Sequence, residues 1–131
     1  MAGAEFVPPE YADLLDAIAL AHAATIGPGG APQTQPVWFR WDGTHLLFSH
    51  TKTRQKFRNL QRDPRISLSI VDPDDPYRYI EVRGTVEIEE DPEGRLIDEL
   101  SQRYKNEPWK HRPGEERVII RVSPARIRGW G

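Results

Sequence analysis

The chain has 131 residues, with 18 Lys and Arg against 20 Asp and Glu and a formal net charge of -2, so its bulk charge does not suit a polyanion such as nucleic acid. It has no cysteine, which excludes disulfides, thiolate catalysis and cysteine-ligated zinc. The length fits a single domain over residues 1–131; no apolar run nears the roughly 20 residues that span a bilayer and no charged-then-apolar leader opens the chain, so a cytoplasmic, non-membrane protein is expected.

Residues 1–8 read as a flexible N-terminal segment, and Pro8-Pro9 then starts a helix with Tyr11, Leu14, Leu15 and Ile18 on one buried stripe. Ala23 to Ile26 reads as a short strand, and Gly27-Pro28-Gly29-Gly30-Ala31-Pro32 as a hairpin loop, because its glycines lack the spacing of a phosphate-cradling motif. The next strand, Gln33 to Trp41, alternates Gln33, Gln35, Val37, Phe39 and Trp41 against Thr34, Pro36, Trp38 and Arg40. Pro36 removes one ladder donor, which an edge or a bulge tolerates; Phe39 and Trp41 read as core. Asp42-Gly43 turns the chain into a strand from His45 to His50.

After the basic stretch described below, Ile66 to Val71 alternates as a strand, and Asp72-Pro73-Asp74-Asp75-Pro76 turns into a long one, Tyr77 to Glu89, where Gly84 marks a bulge or bend. Asp91-Pro92-Glu93 opens a helix through about Tyr104 with Leu96, Ile97 and Leu100 on one face. A loop from Asn106 to Gly114 carries Trp109, and Val118 to Ile127 closes the sheet. The four histidines show no helical ligand pairing, so no metal site is expected, and neither a nucleophile elbow nor a convincing carboxylate pair is present. No catalytic side chain stands out. That absence suits redox chemistry, where the cofactor carries the reaction and the protein supplies binding and orientation.

The most informative stretch is Thr51-Lys52-Thr53-Arg54-Gln55-Lys56-Phe57-Arg58-Asn59-Leu60-Gln61-Arg62-Asp63-Pro64-Arg65. Lys52, Arg54 and Lys56 fall at the start of a helix, against its dipole, a placement that makes sense if an anion sits among them. By charge alone a solvated basic helix face, whose truncation costs little stability, is an equal reading. The order of strand, S/T-x-x-R-x-K-x-R-N-L-x-R-D-P-R, strand resembles the split β-barrel flavoproteins related to pyridoxamine-phosphate oxidase, and within them the actinobacterial branch that uses the deazaflavin coenzyme F420.

The resemblance, covering about Tyr11 to Arg128, implies a mainly β split barrel of the FMN-binding type, with flanking helices, six or so antiparallel strands and Greek-key connections. It implies an oxidoreductase passing hydride from reduced F420 to a small conjugated acceptor such as an enone, a quinone-like compound or a tetrapyrrole. The cofactor phosphate is then expected against Lys52, Arg54 and Lys56, with Thr51, Thr53 and Ser49 as neutral donors, and the ring beside Gln33, Gln35, Pro36 and Trp38. A homodimer with the cofactor at its interface is implied, Tyr77 and Tyr79 reaching the partner's site and Trp109 lining the substrate pocket. At Pro36 relatives often carry a polar residue, which leaves the cofactor choice open to an FMN oxidase or reductase of the same fold; a separate alternative is a non-catalytic binder of a flavin-like ligand or a heme product.

Overall fold

The computed structural model describes residues 7–131; the expected flexibility of residues 1–8 lies, for 1–6, outside the described residues, while Val7 packs against the core. Seven strands, β1 (Ala21–Ile26), β2 (Pro32–Val37), β3 (Arg40–Trp41), β4 (Leu46–Thr51), β5 (Arg65–Asp72), β6 (Asp75–Glu90) and β7 (Arg117–Trp130), form one antiparallel sheet ordered β2-β1-β5-β6-β7-β4-β3. The Gln33 to Trp41 stretch, expected to be one strand, is therefore two, and the two lie at opposite edges of the sheet. Three residue steps from Val37 to Arg40 reach at most about 10 Å, so the edges must face one another and the sheet must curl. The result is a split barrel, closed by the chain but not by hydrogen bonds between β2 and β3.

Burial follows the two-residue period of the strands. Leu68, Ile70, Ile80, Val82, Val118, Ile120 and Val122 point inward and are at most 1% exposed, joined by Phe39 and Phe48. Successive strands β5, β6 and β7 lie side by side and β4 returns beside β7, a Greek-key connection. Gly84 sits where the β6–β7 register shifts, with Arg83 opposite Arg126 but Gly84 opposite Pro124. The extra residue on β7 bends both strands around the barrel. Pro36 stands on the edge strand β2, in unbroken register with β1, so its missing donor faces no ladder that needs it on the outer side.

The opening helix is a 3-10 turn over Pro9–Asp16 that buries Leu14 and Leu15. Ile18 does not join that stripe: the chain turns extended at Ala17, leaving Ile18 57% exposed. Arg78 fastens this helix to the sheet, its guanidinium donating to Asp13 at 2.6 and 2.9 Å, to Asp72 at 2.8 Å and to the Glu10 carbonyl at 2.8 Å. Helix α1 (Gln55–Arg62) bridges β4 and β5 with Phe57 and Leu60 in the core, and α2 (Arg95–Lys105) bridges β6 and β7. Asp91 caps α2, its carboxylate accepting from the amides of Arg95 at 3.1 Å and Leu96 at 3.0 Å. Among the described residues no helix is long and apolar enough to cross a membrane.

A Cβ at Gly84 would stand 2.1 Å from the carbonyl oxygen of Ser123 and 3.0 Å from the Cα of Pro124, both main-chain atoms. Gly84→Ala is therefore expected to lower the unfolding free energy by about 2 kcal/mol or more, read from the urea midpoint, because the strands themselves must separate. An unchanged midpoint would show that the bend is not constrained.

Candidate functional site

The open seam of the barrel is a cavity of about 610 Å³, within the usual size of small-molecule sites. One wall is Gln35, Pro36 and Val37 of the edge strand β2; the facing wall is Ser49 and His50 of β4, whose second half has no β3 partner. Arg54 and Lys56, at the start of α1, and Arg117 of β7 stand at one end. Trp38, Trp109 and the α2 residues Ile97, Leu100 and Lys105 contribute to the rest of the lining.

The charged end is unusual in what it lacks. Lys56 is only 4% exposed, its Nζ has no hydrogen-bond partner, and it lies 5.2 Å from the centre of the Phe48 ring. Burial, reinforced by the Arg54 charge, pulls its pKa down to about 8. His50, 8% exposed with an unpartnered Nε2, is pushed down to about 3 by burial first and then by Lys56, Arg54 and Arg117. Arg117 donates to Ser49 Oγ at 3.4 Å and to Glu115 at 2.9 Å. Among the described residues no carboxylate lines the cavity, although the whole chain is net negative. A buried cation without a partner is costly, so such a cluster is a place prepared for an anion.

The other end is an aromatic corner. Trp38 stacks on Tyr104 at 5.3 Å and meets Trp109 edge-on at 6.1 Å and 88°. Tyr104 is fixed through its hydroxyl, which accepts from the Phe39 amide at 3.1 Å and donates to the Ala19 carbonyl at 2.7 Å, and burial raises its pKa so that it stays a neutral phenol. The loop carrying Trp109 is tied to α2: Asp98 accepts from the Trp109 amide at 3.1 Å and contacts His111 Nε2 at 3.0 Å, while Ser101 donates to the Glu107 carbonyl at 2.7 Å. Trp109 is thus held in place and packs against Arg117, whose guanidinium lies 5.0 Å from its ring centre.

Seven of the sequence-predicted site residues meet here: Ser49, Arg54, Lys56, Gln35, Pro36, Trp38 and Trp109. Lys52 does not, because its Nζ is drawn 2.7 Å from Glu90 of β6, a bond that also raises its pKa. Thr51 and Thr53 line an adjacent hollow with Arg112, their hydroxyls 3.4 Å apart. Gln33 faces a second hollow beside Lys56, and its Oε1 accepts from Asn59 at 2.6 Å. Tyr77 is 83% exposed, and Tyr79 stacks on Trp130 at 5.0 Å, both away from the cavity of their own chain. Nor is Lys56 on a solvated helix face: the helix begins at Gln55, and its second residue points inward. Sequence reasoning missed His50, Arg117, Lys105 and Tyr104. For His50 the signal existed, since it alternates with Leu46 and Phe48 on the inward face.

The sequence profile described as pyridoxamine 5'-phosphate oxidase matches residues 7–131. An F420 reductase of known structure is 45% identical, with a TM-score of 0.86, over 93% of this chain and 98% of that one. A conserved hypothetical protein of Mycobacterium tuberculosis is 30% identical, with a TM-score of 0.77, over 99% of this chain and 89% of that one. General stress protein 26 of Bacillus anthracis, 19% identical over 93% of this chain and 92% of its own, shares the fold at a TM-score of 0.72.

Removing the buried charge should stabilise the ligand-free protein. Lys56→Met is expected to raise unfolding free energy at pH 7 by about 1–3 kcal/mol, measured by chemical denaturation without cofactor. The sign follows from a folded pKa of about 8 below the ordinary 10.5: the penalty is full below pH 8 and vanishes as pH rises past 10.5. The advantage of the variant should therefore shrink over that interval. A destabilised variant at pH 7 would mean that the lysine is satisfied where it lies.

Proposed function

The chain belongs to the pyridoxamine 5'-phosphate oxidase family, and on that premise we propose that it is an oxidoreductase of the F420 and flavin type, with coenzyme F420 as its cofactor. The observation that carries this reading is the pairing, in one cavity, of the buried, unpartnered Lys56, flanked by Arg54 and Arg117, with an aromatic corner and no lining carboxylate. The residues present fit such a group: Arg54, Lys56 and Arg117 would hold its phosphate, with Ser49 as a neutral donor, and Gln35 and Pro36 would lie beside its ring. When bound, F420 supplies a hydride from one ring carbon to a small conjugated acceptor, an enone, quinone-like compound or tetrapyrrole.

The chain's own residues bind and orient. Trp38 and Trp109 shape the acceptor space, and proton delivery is left to solvent, since no carboxylic acid lines that end. The second reading is FMN in the same site, favoured by the cation cluster itself, because a phosphomonoester dianion balances more positive charge than a diester.

A homodimer with the cofactor at its interface completes the reading. Tyr77 at 83%, Ile18 at 57%, Leu20 at 45% and Trp130 at 38% exposure leave more apolar surface uncovered than a small barrel usually shows, and β2 is an exposed edge. In such a dimer Tyr77 and Tyr79 serve the second copy's cavity. Sedimentation should give about twice the chain mass at micromolar concentration; a monomer that binds cofactor tightly would refute the shared site.

Spectrophotometric titration with F420 and with FMN separates the two cofactors. Arg54→Ala and Lys56→Ala should each weaken binding of the preferred cofactor by about ten- to a hundredfold, whereas Lys52→Ala should change it less than about threefold. Equal losses for all three would return Lys52 to the clamp and reject the geometry described above.

A further inference from the structure

The phosphate reading accounts for Lys56, Arg54 and Arg117 but leaves His50 without a task. This residue is more than nine-tenths buried, lines the cavity and has an Nε2 that no protein group satisfies. The charged groups facing it are all cationic: Lys56 and Arg54 from the start of α1, Arg117 from β7, and Lys105 from α2 across the cavity. From β2 comes only neutral Gln35, and from β4 itself neutral Ser49. Arg40 of β3 is tied to Glu99, and the carboxylates Glu115 and Glu90 are engaged by Arg117 and Lys52 outside the lining.

A neutral imidazole among cations responds to an anion more sharply than the cations can. Arginine is protonated in every circumstance, and Lys56 is already mostly charged at pH 7. His50 alone is fully neutral there without ligand. An opposite charge within about 4–6 Å favours protonation by about one to three powers of ten, and a phosphate among these side chains also offsets the cations that suppress it. Protonated, the ring gains a second N–H donor, the group that a phosphate oxygen accepts from.

We propose that His50 is a further ligand of the phosphate, and that it takes up a proton as the phosphate docks. This rests on the phosphate reading of the cavity given above. Its consequence is that cofactor affinity rises as pH falls below neutrality, with no role for His50 in the hydride step.

Isothermal titration of the protein with F420, repeated near about pH 6 in buffers of different ionisation enthalpy, measures the protons taken up. The phosphate of F420 is a diester and exchanges no proton in this range, and any exchange by the ring hydroxyl or tail carboxylates of F420 is common to wild type and variant, so the difference between wild type and His50→Gln belongs to His50. Wild type should take up more protons per site than His50→Gln, by an excess that grows towards about pH 5 and vanishes by about pH 8. Lys56→Arg, which keeps the cation but removes its titration, should retain the excess, and His50→Gln should lose it while still binding. Equal uptake in wild type and His50→Gln overturns the proposal. If F420 fails to bind but FMN binds, the F420 reading falls alone, and the difference between wild type and His50→Gln with FMN still decides the matter, since the monoester's own proton exchange cancels. Binding of neither cofactor overturns both.

Discussion

Two residues between strands at opposite edges of the sheet constrain everything else. Trp38 and Phe39 must carry the chain from β2 to β3, and a link that short leaves no freedom to lay the sheet flat. The sheet rolls up, but the strand that would close it is only two residues long, so a seam persists beside the second half of β4. That seam is the cavity. The bend at Gly84 and the Greek-key return of β4 beside β7 serve the same end, for they allow long strands to wrap a core built from Leu68, Ile80, Val82, Val118 and Ile120.

The link also shows how one residue pair divides its duties. Phe39 faces inward and is fully buried, whereas Trp38 lines the seam. Their position is fixed from outside the sheet by the Tyr104 hydroxyl, which satisfies the Phe39 amide and reaches the Ala19 carbonyl after the opening helix. A single phenol thus ties α2, the strand crossover and the N-terminal lead-in together. The aromatic corner is a by-product of that anchoring, its walls braced by the Tyr104 hydroxyl and by Asp98 on the Trp109 loop.

The charged end has the opposite character. Its members are held where they are badly off: Lys56 buried with no acceptor, His50 unable to ionise, Arg117 only partly balanced by Glu115. Elsewhere several cations have found a carboxylate, as Lys52 has Glu90, Arg78 has Asp13 and Asp72, and Arg121 has Glu89. The contrast locates the site more sharply than the cavity's shape does. Stability is given up at one place, the arrangement that the proposed anion site requires.

Much of this was legible in the chain. Strand periodicity, the turn residues and Gly84 implied a curled antiparallel sheet, and the basic run after β4 implied an anion at the start of a helix, because local spacing determines which faces and which helix ends carry charge. Local spacing could not say which of three cations would face inward. Lys52 and Lys56 look equivalent in sequence, yet Glu90, far along the chain on β6, takes one and leaves the other buried. Nor could it bring Arg117 to Ser49, a pairing made only when β7 docks on β4, or split one apparent strand between two edges. Sequence determined most of the elements and the presence of a cation cluster at a helix start; long-range strand pairing, set by the register of a curled sheet, decided which residues share the cavity and what their charges meet there.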